Sequence, residues 1–223
     1  MPDRARLAAA EPTRAKACAL AIRDAFADYN RRFGEITRRA RGHFESRDWQ
    51  AARTDAVAVY TDLISRGRVA VAGESAGANL SLALLSQITT MPRAVALMSP
   101  WCDLTHQGDT ITTLDGIDPS LDYPHQLRHM AQGYAGGRLL NDPEISPLFA
   151  PVQGFPPTVI TTGTRDLLLS DAARLSTKLR AAGVTVDLRV FEGMWHVFEY
   201  YPDLPEAELS TRGIAEFLTH HLT

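Results

Sequence analysis

The chain has 223 residues, of which 45% are hydrophobic and 22% charged, and its formal net charge is -3. These values are typical of one globular domain with a sizeable core, and the charge argues against nucleic acid as a partner. No apolar run reaches the length of a membrane span, and the amino-terminal residues lack the apolar centre of a signal peptide. Two distant cysteines, Cys18 and Cys102, form no ligand pattern. We therefore expect free thiols, a cytoplasmic location, and no metal or cofactor.

The front of the chain has the periodicity of two helices. Residues 13–40 repeat apolar side chains at alternating spacings of three and four, which predicts an amphipathic helix that ends near Gly42. A second helical pattern begins at Ser46, a suitable N-cap, and continues to Gly67. Two helices joined by a short loop form an αα-hairpin. Residues 1–55 carry a net charge of about +4, which we interpret as a solvated face, with an acidic partner as the alternative.

Residues 13–56 resemble the amino-terminal part of isocitrate dehydrogenase kinase/phosphatase. The resemblance rests on I-R-D-A-F-A-D-Y-N-R-R-F-G-E-I-T-R-R-A from residue 22 and H-F-E-S-R-D-W from residue 43. No glycine-rich phosphate loop, strand lysine, H-R-D or D-F-G element follows, so the resemblance implies helices and transfers no activity. We interpret residues 1–54 as a helical segment of a chimeric chain. A regulatory binding role related to that enzyme is a third functional hypothesis, beside the two described below.

Ser75 carries the main functional signal. Residues 69–72 are a short apolar strand pattern, residues 73–77 read G-E-S-A-G, and residues 79–85 have a helical composition. A strand, G-x-S-x-G and a helix in this order predict a nucleophile elbow, in which the serine occupies a strained turn. We expect side chains at Gly73 or Gly77 to collide with the neighbouring strand and helix. The alternative is an unreactive serine in a glycine-rich turn.

Two further polar residues follow predicted strands in the order typical of hydrolases. Asp166 comes directly after the strand pattern at residues 158–162, and His196 comes after the pattern at residues 186–190. Because the carboxyl ends of parallel strands share one edge of a sheet, Ser75, Asp166 and His196 are predicted to form a catalytic triad. Singly, Asp166 also fits a turn residue, and His196 fits a loop histidine.

From residue 55 to the carboxyl terminus, the chain resembles the hormone-sensitive-lipase-like family of α/β-hydrolases. Residues 99–105 read S-P-W-C-D-L-T, close to the family's S-P-W-x-D-L, and residues 193–198 read G-M-W-H-V-F, close to its G-M-x-H-x-F. The resemblance implies an α/β fold over residues 55–223, with a cap insertion at about 106–140. Only the last four of the family's eight strands have counterparts. The expected architecture is therefore a truncated hydrolase with a short, mostly parallel sheet flanked by helices and preceded by the αα-hairpin.

The same resemblance implies a carboxylesterase that acts on small, short-chain esters. Ser75 would be the nucleophile, His196 its base and Asp166 the carboxylate that orients the imidazole. The substrate-pocket candidates are Trp101, Trp195 and Phe198. For Trp101, packing in the core is the competing interpretation.

The family's H-G-G segment, whose backbone N–H groups form most of the oxyanion hole, has no counterpart in this sequence. The N–H of Ala76 remains as one donor, and loss of a donor costs about a hundredfold to a thousandfold in turnover. Either the activity is weak, or Gly34, Gly42 or a partner supplies the second donor. The strand at residues 69–72 would also become a sheet edge, which predicts a homo-oligomer. The competing hypothesis is a non-catalytic, self-associating remnant of a hydrolase.

Overall fold

The structure, a computed structural model, describes residues 49–223. The first helix of the predicted hairpin, together with Cys18, Gly34 and Gly42, lies outside these residues. A π-helical turn at Tyr123–Leu127 precedes the helix that begins at Arg128, and 3₁₀ turns occur at Pro147–Phe149 and Phe198–Tyr200. The main elements are α1 (Trp49–Ser65), β1 (Val71–Glu74), α2 (Ser75–Leu85), β2 (Val95–Met98), α3 (Thr110–Thr113), α4 (Arg128–Ala135), β3 (Thr158–Gly163), α5 (Leu169–Ala181), β4 (Val186–Phe191) and α6 (Pro205–Leu222).

The four strands form one parallel sheet in the order β1-β2-β3-β4, which confirms the predicted α/β architecture. Crossovers between parallel strands are right-handed, so α2 and α5 pack on the same face. On β2, Val95 and Leu97 face these two helices, whereas Ala96 and Met98 face α6. All four side chains are buried, so β2 is covered on both faces.

Strand β1 lies at an edge of the sheet, as expected, and pairs within the described residues with β2 alone. Its Ala72 is exposed, and the other three residues of the strand are half-buried. Helix α1 packs against α2 beside this edge, and its Tyr60 hydroxyl donates a hydrogen bond to the Thr90 carbonyl at 2.8 Å. Pairing of the edge with a second copy of the chain stays a prediction.

Helix α1 continues without a break through residues 54–55, where the sequence places the domain boundary. Its first residue, Trp49, is buried, and the guanidinium groups of Arg53 and Arg138 lie over the indole at 5.0 and 4.5 Å. Arg53 also pairs with Glu144 at 3.2 Å. These contacts attach the amino-terminal turns of α1 to the remainder of the described fold. The boundary itself remains an untested prediction.

The segment at residues 106–140, interpreted from sequence as a polar cap insertion, contributes to an apolar cluster. Because Leu167 and Leu168 directly follow Asp166, this cap cluster packs the segment against the loop that carries Asp166. Its buried members are Trp101, Leu104, Ile111, Leu127, Ala131, Ala135, Ile145, Leu167 and Leu168.

Asp171, in the first turn of α5, ties that helix to the loop after β2. Its Oδ2 accepts hydrogen bonds from the N–H groups of Cys102 at 2.9 Å and Asp103 at 2.8 Å. Arg174 pairs with Asp103 at 2.6 Å. Burial raises the pKa of Asp171 to about 7 and the pKa of the free Cys102 thiol well above its usual range. Asp171 is thus a structural carboxyl group that keeps its proton to a higher pH than an ordinary aspartate does.

Replacing Asp171 by asparagine is expected to remove a pH-dependent part of the stability. The native carboxyl binds a proton up to about pH 7, whereas an ordinary aspartate loses it near 3.8. The contribution of Asp171 to the free energy of unfolding therefore falls as the pH rises between these values. Relative to wild type, Asp171→Asn should gain stability across this range in urea unfolding. A difference that does not vary with pH would contradict this, and the exposed Asp203→Asn is the control.

Candidate active site

Ser75 occupies the turn between β1 and α2. Its φ angle of 49° lies in the left-handed region, which is uncommon for a residue with a side chain. Gly73 allows the turn to close, because a Cβ at that position would overlap the Gly77 carbonyl and the Ser81 hydroxyl. The collision expected at Gly77 is wrong: a Cβ there meets no described atom within 4 Å. Only one of the two elbow glycines is therefore required by contacts within the described structure.

The structure brings the three predicted triad side chains together. Nε2 of His196 lies 2.9 Å from Oγ of Ser75, and Nδ1 lies 3.2 Å from Oδ1 of Asp166. Ser75 follows β1, Asp166 follows β3 and His196 follows β4, so all three lie beyond the carboxyl ends of parallel strands. A hydroxyl, an imidazole and a carboxylate joined in this order have the geometry of a nucleophile, its base and the group that orients the base.

Asp166 is fully buried and accepts hydrogen bonds from protein donors on both oxygens. Oδ2 accepts from the Thr162 hydroxyl at 2.7 Å, and Oδ1 accepts from the Leu168 N–H at 2.9 Å. Burial by itself raises the pKa of this carboxyl group. The charge and hydrogen bond of His196, with the bonds from Leu168 and Thr162, outweigh burial and lower the pKa of Asp166. The carboxylate is thus suited to remain ionised beside the imidazole.

His196 is 7% exposed, and its environment favours the protonated ring. Burial lowers the pKa of His196, but Asp166, and then the charges of Asp118 and Glu74, raise it above its usual value. The net shift stabilises the imidazolium form of the ring relative to an ordinary histidine. If Nδ1 donates to Asp166, Nε2 is left as the acceptor that faces Ser75.

The loop that carries His196 lies against the ends of β2 and β3. Val197 has a φ angle of 48°, and its N–H donates to the hydroxyl of Ser99 at 2.9 Å. Ser99 also has a left-handed backbone, with a φ angle of 46°. At the end of β3, a Cβ on Gly163 would overlap the backbone carbonyl of Met194. Ser99 is not among the site residues predicted from the sequence, although it opens the S-P-W motif, which is a local signal.

The predicted pocket residues occupy different environments. Trp101 is 2% exposed within the cap cluster, and Phe198 is 0% exposed and packs against Phe191 at 4.9 Å. Both are therefore core residues rather than walls of an open pocket. Trp195 is half-buried and packs edge-on against Tyr201 at 5.3 Å. Of the three candidates, Trp195 alone presents appreciable surface, and its contact with substrate is untested.

Ala76 lies in the first turn of the 11-residue helix α2, where backbone N–H groups have no partner within the helix. Its role as an oxyanion donor is an expectation from this position. Across residues 49–223, no cluster of histidine, cysteine and acidic residues has the arrangement of a metal site. No helix in the same range is long and apolar enough to cross a membrane.

Known proteins share this architecture. The family model described as the alpha/beta hydrolase fold matches residues 46–200. An acetyl-hydrolase of Streptomyces hygroscopicus is 36% identical over 177 residues, which are 75% of this chain and 59% of that protein. An esterase of Acinetobacter venetianus is 33% identical over 170 residues, which are 72% of this chain and 56% of that protein. A crystal structure of an esterase from the bacterial hormone-sensitive lipase family has a TM-score of 0.73 and 36% identity, and the match covers 77% of this chain and 60% of that one.

This chain therefore spans between half and two thirds of the length of these relatives. A separate stretch of 45 residues, 20% of the chain, is 60% identical to isocitrate dehydrogenase kinase/phosphatase of Xanthomonas euvesicatoria and covers 8% of that enzyme. Both resemblances inferred from the sequence are confirmed as similarities. The joining of two unrelated parts into a chimera remains a prediction.

The two elbow glycines provide a matched pair of substitutions. Gly73→Ala should destabilise the fold by about 1–3 kcal/mol, because its Cβ overlaps the backbone of α2. Gly77→Ala should be neutral or stabilising by up to about 1 kcal/mol, because alanine suits a helix and the position is exposed. Urea unfolding of both variants measures the contrast. Equal destabilisation by the two substitutions would contradict this account of the elbow.

Proposed function

The chain belongs to the alpha/beta hydrolase fold family, and on that basis we propose that it is a serine hydrolase that cleaves small, short-chain carboxylic esters. The hydrogen-bond chain from Ser75 through His196 to Asp166, at 2.9 and 3.2 Å, carries the proposal. The names of two relatives, acetyl-hydrolase and esterase, support the same class of substrate.

In the proposed acylation step, Oγ of Ser75 attacks the carbonyl carbon of the ester while Nε2 of His196 removes the hydroxyl proton. The ester oxygen becomes an oxyanion that accepts a hydrogen bond from the Ala76 N–H. Asp166 stabilises the imidazolium and holds the ring through Nδ1. The tetrahedral intermediate then expels the alkoxide, which takes the proton from Nε2, and the acyl group remains on Ser75.

Deacylation repeats these roles with water as the nucleophile. Nε2 of His196 takes a proton from water as its oxygen attacks the acyl carbon, and a second oxyanion forms at the same place. Collapse of this intermediate breaks the bond to Oγ, and the proton on Nε2 returns to Ser75. The products are the acid and the free enzyme, so neither a metal nor a cofactor is needed in the proposed cycle.

The proposed activity is weaker than that of an enzyme with a complete oxyanion hole. The sequence lacks an H-G-G segment, and Ala76 supplies one donor beside the nucleophile. A missing donor reduces turnover by about a hundredfold to a thousandfold. The same observation supports the competing hypothesis of a non-catalytic remnant, in which Ser75 contributes nothing to the rate. Dependence of hydrolysis on Ser75 therefore separates the two functions.

Ser75→Ala should lower kcat for p-nitrophenyl acetate and butyrate by about a thousandfold or more, because no other group can form the acyl-enzyme. Ser86→Ala, at the exposed C-cap of the same helix, is the matched control and should retain the wild-type rate. Labelling of Ser75 by a fluorophosphonate would support the nucleophile independently of turnover. Equal rates for wild type and Ser75→Ala, with no labelling, would exclude the enzyme.

The pH profile provides a second test. Only the neutral imidazole can accept the serine proton, so kcat/KM should fall as the pH drops through the pKa of His196 in the free enzyme. Because Asp166, Asp118 and Glu74 together outweigh burial, the midpoint should lie above the usual histidine value of 6.5. Initial rates with p-nitrophenyl acetate measure it. A midpoint below 6.5 would show that burial, rather than the carboxylates, dominates at His196.

A further inference from the structure

We propose that Asp118 is a positioning residue that holds the acid loop and the histidine loop of the triad at a set distance from each other. This inference rests on the proposed hydrolase function. Asp118 lies in the cap segment, between α3 and α4, and no motif in the sequence marks it. Its side chain is buried, and the residue is 5% exposed.

One oxygen of Asp118 contacts both loops. Oδ2 accepts a hydrogen bond from the backbone N–H of Leu167 at 3.2 Å and another from the N–H of His196 at 3.2 Å. Leu167 is the residue directly after Asp166. A single carboxylate oxygen therefore connects the backbone next to Asp166 with the backbone of His196. This connection is additional to the direct contact between the Asp166 carboxylate and the His196 ring.

The other oxygen fixes Asp118 within its own turn. Oδ1 accepts from the N–H and the hydroxyl of Ser120, both at 2.8 Å, and from the N–H of Leu121 at 3.2 Å. The Ser120 hydroxyl also lies 3.4 Å from the carbonyl oxygen of His196. Hydrogen bonds to an ionised acceptor are about twice as strong as neutral ones. Both oxygens of Asp118 thus accept hydrogen bonds, and these bonds hold the side chain in one orientation.

The hydrogen bonds of Asp118 reach neither the imidazole ring nor Ser75, so its effect on the reaction is indirect. The distances in the triad, 2.9 and 3.2 Å, leave little room for movement of the histidine loop. A misplacement of about 1 Å at a reacting group can cost about a hundredfold in rate. Holding two backbone N–H groups on one oxygen restricts this movement.

The charge of Asp118 also acts on His196. The acidic groups around the ring are Asp166 through its direct contact, Asp118 behind the loop, and Glu74 at the elbow. Glu199 is half-buried nearby, and the charge of Asp166 contributes to the rise in the pKa of Glu199. Of these, Asp118 can be neutralised without touching the ring contacts. Loss of its charge should lower the pKa of His196.

Asp118→Asn is the main test, because the amide has the same shape but only one oxygen acceptor and no charge. We expect kcat with p-nitrophenyl acetate to fall about tenfold to a hundredfold with KM within about twofold, since the loops shift but the ester-binding surface does not. The midpoint of the fall in kcat/KM at low pH should move to lower pH. Asp109→Asn, an exposed carboxylate of the same segment, is the matched control and should change neither quantity.

Histidine NMR makes the test independent of turnover. The pKa of His196, with its signal assigned by comparison with His196→Gln, should be lower in Asp118→Asn than in wild type. If wild type does not hydrolyse esters, the proposed function fails, while this shift still supports the positioning contact. A folded Asp118→Asn with unchanged kcat and unchanged His196 pKa overturns the proposal, even if its melting temperature falls.

Ser120→Ala keeps the test available if Asp118→Asn does not fold. It removes the hydroxyl that donates to Oδ1 and leaves the carboxylate in place. We expect a smaller loss in kcat, about twofold to tenfold, with KM unchanged, because one hydrogen bond to the support is lost. An unchanged kcat in Ser120→Ala would then count against the proposal.

Discussion

The candidate site depends on the parallel register that brings three strand ends to one level. Met98 pairs with Glu74 on one side and with Thr161 on the other, and Gly163 pairs with Phe191 at the far edge. A residue advances about 3.3 Å along a strand, so a slip of one position would exceed the tolerance of a hydrogen bond. Side chains that are 121 and 30 residues apart in the chain meet because β2 and β3 are held on both sides.

Much of this arrangement follows from local sequence signals. Short apolar runs predict the four strands to within about two residues. Because the carboxyl ends of parallel strands share one edge of a sheet, Ser75, Asp166 and His196 are then predicted to lie at that edge. What the sequence cannot specify is the direction of a side chain. The sequence around Phe198 is the same whether its ring faces a pocket or the core. The G-x-S-x-G motif likewise does not distinguish between the two elbow glycines. Contacts in the structure distinguish these alternatives. Phe198 packs against Phe191, and of the two elbow positions only a Cβ at position 73 would overlap the helix.

The cap segment escapes sequence prediction for a different reason. Its composition is polar, yet it is fastened to the sheet domain by long-range hydrogen bonds that have no periodic signature. Asn79 of α2 donates to the carbonyls of Trp101 and Ile145, both at 3.0 Å, and so connects the elbow helix to both flanks of the cap. The bonds of Asp118 span 49 and 78 positions. Such contacts depend on a finished tertiary structure, and one sequence does not reveal them.

Carboxyl groups near this edge of the sheet differ in the direction of their pKa shifts because their partners differ. Asp166 is buried and Glu199 is half-buried, but Asp166 lies against the imidazole of His196, whereas Glu199 accepts hydrogen bonds from the hydroxyls of Thr161 at 2.6 Å and Ser210 at 2.8 Å. Neutral donors do not offset desolvation, so burial raises the pKa of Glu199 while the pKa of Asp166 is lowered. The raised pKa favours the neutral form of Glu199 more than in an ordinary glutamate, and the charge of Asp166 contributes to this shift. Among the acidic groups, Asp166 contributes most to the raised pKa of His196, and Asp118 and Glu74 contribute less. The opposite pKa shifts of these neighbouring acids therefore favour negative charge on Asp166, which contacts the imidazole, rather than on Glu199.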